Sequence, residues 1–219
     1  MKEFIIIGNG LYARMMKRYI DLTDFGQAAA YAVEESFIRE LEMDGLPVLP
    51  LEQLKETGSP ETHSLIMGIG YTKMGNVREK IFRQCKALGF TFENYIHPTV
   101  IMEKNVTIGE GNNILEGVIL EEGVVLGDAN LLFGGSLIAH ETTVGDYNTF
   151  SVKAVAAGCS VIGSHCFIGA SATVKDHVTI GDYVLLGAAA YGFKDMEAYS
   201  VVVPAKSVVL EGRKSTEFL

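Results

Sequence analysis

LGDANLLFGGSLIAHETTV, residues 126–144, places an apolar side chain at every sixth position. The same spacing continues in both directions without interruption over residues 96–186. The full series is Ile96, Met102, Ile108, Ile114, Leu120, Leu126, Leu132, Ile138, Val144, Phe150, Ala156, Ile162, Ile168, Val174, Ile180 and Leu186. Neither an α-helix nor a plain β-strand has this period. A six-residue repeat therefore predicts a parallel β-helix.

A second period, of eighteen residues, runs through the same region. Glycine recurs at Gly109, Gly127, Gly145, Gly163 and Gly181, and an acidic residue follows four of the five. Three hexapeptides thus form one coil, and the glycine marks a corner, where we expect backbone angles that a Cβ would forbid. A β-sandwich is disfavoured, because its strands do not hold one register over sixteen repeats.

The repeat has a predicted start and a predicted end. It begins after Tyr95, and its register is expected to be lost at Tyr191, Gly192 and Phe193. We therefore predict two domains: a small α/β domain over residues 1–92 and a β-helix domain with a C-terminal tail over residues 93–219.

Composition limits the functions that the chain can have. The 219 residues carry a net charge of −9 with no lysine or arginine cluster, which argues against a nucleic-acid partner. No stretch has the length and apolarity of a membrane span, and no signal-peptide pattern opens the sequence. Three cysteines without metal-type spacing fit a reducing compartment, so we expect a cytoplasmic protein.

The first ninety residues alternate between strand and helix patterns, which predicts a Rossmann-like βαβ unit with a parallel sheet. Prolines at Pro47 and Pro50 are interpreted as loop. Strands are predicted over residues 3–7, 28–33 and 63–67, and helices over residues 11–21, 51–56 and 73–88, the last being the longest and ending at Gly89.

A glycine-rich turn follows the first predicted strand. Gly8, Gly10 and Ala13 fit the G-x-G-x-x-G/A fingerprint, and Glu34 and Glu35 end the second strand, where an acid would bind a ribose. Backbone N–H groups of the turn, including that of Asn9, and of the helix start would meet phosphate oxygens. A nucleotide diphosphate site and a ligand-free tight turn both remain open at this stage.

One histidine stands out from the repeat. His140 lies two residues after Ile138, and Glu141 follows it directly. A histidine beside a carboxylate is a candidate general base, since its unperturbed pKa lies near neutrality. No metal is expected, because the gaps between His140, His165 and His177 are not multiples of eighteen.

Several motifs together resemble a known family. They are the βαβ unit with its Gly-rich turn, His-Pro-Thr at 97–99, the hexapeptides, IAHETTVGD at 138–146 and Val-Pro-Ala-Lys at 203–206. The pattern is similar to the left-handed β-helix sugar O-/N-acetyltransferases of the sialic-acid and bacillosamine type. The left hand of the coil is implied only by this resemblance.

The resemblance also implies roles for individual residues. His140 would be the general base and Glu141 the residue that orients it. The Gly158 amide would bind the thioester carbonyl, with Ala157 and Lys206 beside acetyl-CoA. The family forms homotrimers that hold acetyl-CoA between neighbouring β-helices.

The chain departs from the family pattern on the acceptor side. The glycine-rich turn continues as Leu11-Tyr12 rather than Gly-His, Phe133 replaces an asparagine, and Thr149 replaces a second histidine. In the family, the positions of Phe133 and Thr149 face the acceptor sugar. We expect the same chemistry on a less typical sugar.

These observations and the resemblance predict an acetyl-CoA-dependent acetyltransferase acting on a sugar or amino sugar, nucleotide-linked, in bacterial surface-polysaccharide or glycan biosynthesis. Residues 1–92 would bind the acceptor, and residues 93–219 would carry out the acyl transfer. Two alternatives are a non-catalytic sugar-nucleotide-binding or scaffold β-helix and a metalloenzyme similar to the gamma-class carbonic anhydrases. The sequence does not show whether a nitrogen or an oxygen of the sugar is acetylated, nor does it identify the nucleotide or lipid to which the sugar is attached.

Overall fold

In the computed structural model, which describes residues 3–214 and 216, the N-terminal part is a three-layer α/β unit. Its elements are β1 Glu3–Ile7, α1 Leu11–Leu22, β2 Gln27–Val33, β3 Glu42–Met43, β4 Leu46–Pro50, α2 Leu54–Thr57, β5 His63–Met67 and α3 Asn76–Ala87. The strand order is β3-β4-β2-β1-β5, and every pair is parallel except β3–β4.

Alternating side chains of β1 explain the three layers. Phe4 and Ile6 pack with α1 on one face of the sheet, and Ile5 and Ile7 pack with α3 on the other. Successive side chains of a strand point to opposite faces, so a strand that is apolar throughout must be covered twice.

Most predicted elements of this unit are confirmed, with two corrections. Pro47 and Pro50 lie in strand β4 rather than in a loop. β4 accommodates them because its outer neighbour β3 has only two residues, so β4 is close to an edge strand. The last helix begins at Asn76, because Lys73 and Met74 have left-handed backbone angles, and at twelve residues it only equals α1 in length.

From Tyr95 onward the chain forms the β-helix. Its strands are β6 Tyr95–Ile96, β7 Ile101–Met102, β8 Thr107–Ile108, β9 Asn113–Ile114, β10 Ile119–Leu120, β11 Val125–Leu126, β12 Leu131–Leu132, β13 Leu137–Ile138, β14 Thr143–Val144, β15 Thr149–Phe150, β16 Val155–Ala156, β17 Val161–Ile162, β18 Phe167–Ile168, β19 Thr173–Val174, β20 Thr179–Ile180, β21 Leu185–Leu186, β22 Tyr191–Gly192 and β23 Val201–Val202.

These strands stack into three parallel sheets, which are the faces of a triangular prism. The first face holds β6, β9, β12, β15, β18, β21 and β23. The second holds β7, β10, β13, β16, β19 and β22, and the third holds β8, β11, β14, β17 and β20. Paired residues are eighteen apart over most of the prism, as Ile119 with Leu137, so the predicted coil length is confirmed.

The residues of the sixfold series fill the prism. Thirteen of them, the twelve from Ile114 to Ile180 in the middle coils and Leu186 near the end, form one buried apolar cluster. The first coil is open: Met102 is 39% exposed although it occupies an inward position. The repeat therefore supplies a continuous apolar core rather than separate small ones.

The recurring glycines do mark a corner, the one between the third and first faces, but the expected reason is wrong. Gly109, Gly127, Gly145, Gly163 and Gly181 are not among the positive-φ residues. Instead a Cβ on Gly109 would lie 2.8 Å from the Gly127 carbonyl carbon, so glycine is required by the close approach of successive coils. The acid that follows caps its neighbour: Asp146 Oδ1 accepts the Asp128 N–H at 2.7 Å.

The predicted end of the repeat also needs correction. Tyr191 and Gly192 still pair in register with Thr173 and Val174. The next part of the coil is two residues shorter than the repeat. Met196 bridges Ile180 there, whereas a spacing of eighteen would place residue 198 opposite it. The coil then closes through β23.

The α/β unit lies on the first face of the prism. The first four outward residues of that face, Tyr95, Asn113, Leu131 and Thr149, are at most 2% exposed, whereas the later ones and those of the other two faces are at least partly open. Apolar residues of the prism corners, including Leu115, Ala129 and Tyr147, belong to the same clusters as the sheet and its helices. This docking fixes the position of the α/β unit relative to the three corners of the prism.

Candidate active site

His140 lies on the second corner of the prism, between the second and third faces. Its side chain is exposed, and its ring extends over Gly158, one coil further on. A Cβ at position 158 would lie 2.6 Å from Cε1 of His140, so any side chain there would displace the imidazole. The structure thus explains the glycine that follows Ala157 and brings His140 and Gly158 together.

The amide of Gly158 is left open by a gap in a capping pattern on this corner. Glu103 Oε2 accepts the Glu122 N–H at 3.1 Å, and one coil later Glu121 Oε2 accepts the His140 N–H at 2.8 Å. The next member of that series is Ala139, which has no acceptor. Within residues 3–214 and 216, no group accepts the Gly158 N–H. A free N–H beside an imidazole is the arrangement needed to bind a developing oxyanion.

Glu141 does not contact the imidazole in this structure. Its carboxylate lies over Gly123 on the preceding coil, where a Cβ would be 2.6 Å from the Glu141 Cδ, whereas the His140 ring lies over the following coil. Adjacent residues at this corner therefore point along opposite directions of the prism axis. The orienting role implied for Glu141 stays a prediction.

The other residues implied at the donor side are less closely placed. The Ala157 carbonyl accepts the hydroxyls of Thr142 and Ser160 at 3.1 and 2.7 Å, which holds the backbone before Gly158. Lys206 is exposed beyond β23, and Cys159 is a half-buried free thiol. Burial raises the pKa of the Cys166 thiol to about 11, which makes that thiol a poor nucleophile at neutral pH.

A second candidate site is a cavity of about 680 Å³ at the carboxyl end of the parallel strands of the α/β unit. Gly8, Asn9, Gly10 and Glu34 line it, as predicted for a ligand site, and Tyr71, Thr72 and Lys73 form part of its rim. Ligands of open α/β sheets bind at this edge of the sheet.

The glycine-rich turn has the geometry of a strand-to-helix turn with open space in front of it. Gly8 has φ +117°, and a Cβ there would lie 3.0 Å from the Gly68 carbonyl oxygen. Gly10 is the N-cap of α1, and a Cβ there would meet nothing within 4 Å. Since glycine has no side chain, the first N–H groups of α1 have no side-chain cap, and Gly10, Leu11 and Tyr12 line the cavity.

Three residues predicted on the acceptor side are placed differently. Glu35 does not line the cavity, and its N–H donates to Glu52 Oε2 at 3.0 Å. Thr149 is 2% exposed under the α/β unit and does not present its side chain to any open site in this chain. Phe133 is half-buried and packs against Tyr12 at a ring distance of 5.9 Å, so it borders the cavity indirectly.

Arg78 is a residue that the sequence did not reveal. It is fully buried between α3 and the prism and donates to the carbonyls of Ala129, Gly70, Tyr147 and Asn148 at 2.5–3.0 Å. Burial lowers its pKa to about 10, which leaves the guanidinium charged at neutral pH. Through these hydrogen bonds Arg78 links the Gly70 backbone, in the wall of the cavity, to the corner between the third and first faces of the prism.

Neither a metal centre nor a membrane span is found in the described part of the chain. No three His, Cys, Asp or Glu side chains lie together there as ligands would. His165 is buried between the rings of Tyr147 and Tyr183 on another corner than His140. No helix among the described residues has the length and apolarity needed to cross a bilayer.

Comparison with known proteins adds to this geometry. The bacterial transferase hexapeptide family (six repeats) matches residues 159–191. A structure of perosamine N-acetyltransferase from Caulobacter crescentus, a histidine-to-asparagine variant in complex with CoA and GDP-perosamine, superposes with a TM-score of 0.81 at 26% identity, covering 94% of this chain and 96% of that one. The chain therefore has the fold of a left-handed β-helix with an N-terminal α/β unit, as these sugar acetyltransferases do.

Another similar structure extends the likeness in fold. The acetyltransferase domain of PglB from Neisseria gonorrhoeae gives a TM-score of 0.80 at 22% identity over 92% of this chain and 96% of that one, and it has also been solved with acetyl coenzyme A. No curated protein sequence matches the chain. The left-handed β-helix and its α/β extension are therefore shared over nearly the whole length of both proteins.

Proposed function

We propose that this protein transfers an acetyl group from acetyl-CoA to the amino group of a nucleotide-linked sugar, with His140 as general base. The acyltransferase class and the acetyl-CoA cosubstrate follow from the likeness to sugar acetyltransferases solved with CoA or acetyl-CoA. The observation that carries the proposal is an exposed imidazole that lies over Gly158, whose N–H has no acceptor among the residues that the structure describes. Surface-glycan synthesis in the cytoplasm is the proposed setting.

The proposed reaction needs one base and one oxyanion donor. His140 takes a proton from the sugar amine as nitrogen attacks the thioester carbonyl. The Gly158 N–H donates to the oxyanion, a contribution of roughly 10²–10³ in rate. When the C–S bond breaks, the imidazolium returns the proton to the thiolate, which leaves an amide and CoA. No group on the enzyme is acylated, so Cys159 is not required.

The acceptor nucleotide is assigned to the cavity of the α/β unit. The open N–H groups at the start of α1 suit phosphate oxygens, and Glu34 stands at the end of β2, where an acid can accept ribose hydroxyls. The complex of the Caulobacter enzyme with GDP-perosamine supports a nucleotide-linked amino sugar as the class of acceptor. The domain division at residue 92 accordingly separates acceptor binding from acetyl transfer.

A second copy of the chain is needed to complete this site. The cavity lies in the α/β unit, which packs on the first face of the prism, whereas His140 lies on the corner opposite that face. One chain cannot hold a single sugar at both places. We therefore propose a homotrimer in which the cavity of one subunit delivers the amine to His140 of its neighbour, a closed arrangement of identical interfaces.

The test is acetyl transfer from acetyl-CoA to a panel of nucleotide-linked amino sugars, followed by thiol release. His140→Ala is expected to lower kcat about 10²–10⁴-fold. His63→Gln is the control, because His63 begins β5 at the edge of the sheet away from the cavity. Unchanged turnover by His140→Ala would refute the proposed base, and tight acetyl-CoA binding without thiol release would favour the non-catalytic alternative.

A further inference from the structure

A strained turn forms part of the cavity rim between β5 and α3. Lys73 has φ 51° and ψ 46°, and Met74 has φ 54° and ψ 36°. Left-handed angles are disfavoured for residues with a Cβ, and two in succession are rare outside sites where surrounding structure imposes them. The turn therefore requires an account of what holds it and of what it positions.

The prism holds the turn. His165 Nδ1 donates to the Met74 carbonyl at 3.0 Å, and its Nε2 lies 3.1 Å from Glu79 at the start of α3. Gly75, with φ +81°, packs so closely that a Cβ there would lie 2.6 Å from the Tyr147 carbonyl oxygen. Docking against the β-helix thus fixes the backbone that carries Lys73.

The charges that line the cavity are unbalanced. Glu34 and Lys80 form an ion pair at 2.7 Å, so they neutralise each other. Lys73 also lines the cavity, and within residues 3–214 and 216 its ammonium has neither a hydrogen-bond acceptor nor an acidic partner. The cavity consequently contains one uncompensated cation, which favours an anionic ligand.

We infer that Lys73 binds the diphosphate of the nucleotide-linked acceptor and that the strained turn positions its ammonium for this. The inference rests on the proposed function for the identity of the ligand. A diphosphate is the part of such an acceptor that carries charge, and a lysine contacts it as a point charge. Lys80 is already committed to Glu34 and serves the cavity wall.

The experiment compares Lys73→Met with the wild type. Binding of GDP and of UDP is measured by calorimetry, and acetyl transfer by steady-state kinetics with a nucleotide-linked amino sugar. We expect the nucleotide Kd and the acceptor KM to rise about ten- to a hundredfold, the loss for a charged hydrogen bond. The KM for acetyl-CoA and kcat should change less than twofold. Lys55→Met, at an exposed lysine of α2 outside the cavity, is the matched control.

Lys73→Gly separates charge from backbone strain. Glycine adopts the left-handed angles freely, so this variant keeps the turn and removes only the cation. It should lose as much nucleotide affinity as Lys73→Met and should unfold at a higher temperature than that variant. Normal affinity in Lys73→Gly would assign the effect to the backbone and overturn the inference.

The outcomes also separate this inference from the proposed function. Lys73-dependent nucleotide binding without any acetyl transfer would support the inference and refute the transferase. If the protein transfers acetyl groups and Lys73→Met binds the nucleotide as tightly as the wild type, the proposed function is supported and the inference about Lys73 is refuted. A wild-type protein that binds neither GDP nor UDP at millimolar concentration would also overturn the inference.

Discussion

At the scale of single residues, the chemistry of the His140 corner depends on an absence at position 139. Two glutamates, Glu103 and Glu121, cap the N–H groups nineteen residues further along, and alanine then interrupts the series. The interruption exposes the Gly158 N–H at the one place where an imidazole lies over it. Such a gap is easy to recognise in a regular repeat, because the equivalent positions of the two preceding coils carry the glutamate that is missing here.

The first prediction tests this gap. Ala139→Glu should restore the cap, occupy the Gly158 N–H and lower kcat about 10²–10³-fold, the usual cost of losing one oxyanion donor. Ala139→Met is the control, since methionine has similar bulk and no carboxylate. Both variants should keep the far-UV circular dichroism of the wild type. Equal losses in the two variants would attribute the effect to crowding and not to the amide.

At the scale of elements, the sequence predicts the parts of the fold that have a regular pattern of apolar residues. The β-helix follows from the sixfold series because each inward position meets the same apolar environment throughout the middle coils. The limits of β1 and β5 follow from short apolar runs between turn residues. Lys73 was misplaced in a helix, because the left-handed turn there is imposed by contacts with Tyr147 and His165, residues far along the chain.

The candidate site divides in the same way. His140 and Gly158 could be found from the sequence and a family resemblance, since both lie in the regular part of the chain. Arg78 could not, because on α3 it has the spacing of an ordinary helical residue and is buried only after the helix docks on the prism. Burial of Thr149 depends on the same docking.

The second prediction concerns Arg78 as the link between α3 and the prism. Arg78→Met removes the guanidinium that donates to four carbonyls, of which that of Asn148 keeps the Leu131 N–H, and should lower the free energy of unfolding by about 3 kcal/mol. Urea unfolding of the two proteins measures the difference. Arg83→Met on the same helix is the control: its side chain is 72% exposed and its ion pair with Glu79 is a surface pair. The control should change stability by less than about 0.5 kcal/mol.

Arg78→Lys refines that test. Lysine restores the charge and three donors but not the planar arrangement that reaches separate carbonyls, so partial recovery is expected. If Arg78→Met were as stable as the wild type, the hydrogen bonds at this junction would contribute nothing net. Docking of the α/β unit would then depend on apolar contacts such as Phe82 with Phe92 and Tyr147.

At the scale of the whole molecule, the two candidate sites stand on opposite sides of the prism. The α/β unit covers the first face, and the second corner, with His140, is as far from that face as a triangular cross-section allows. The fold therefore separates the proposed acceptor site from the proposed base within a chain. Assembly would bring them together, so that activity belongs to an interface between subunits.

The last prediction tests this with mixed oligomers. Gly10→Glu should close the acceptor cavity without disturbing the fold, because a Cβ at Gly10 meets nothing within 4 Å and the carboxylate would face the start of α1. His140→Ala should remove the base. Each variant alone is expected to be inactive in thiol release with a nucleotide-linked amino sugar.

If the cavity of one subunit serves His140 of another, random mixing of equal amounts restores activity. In a closed trimer that contains both variants, one of the three interfaces joins an intact cavity to an intact histidine, so about a third of the wild-type activity is expected. The two variants carry different affinity tags, are refolded together and are purified through both tags. A mixture that contains both tags in each oligomer and is still as inactive as its components would refute an active site shared between two subunits.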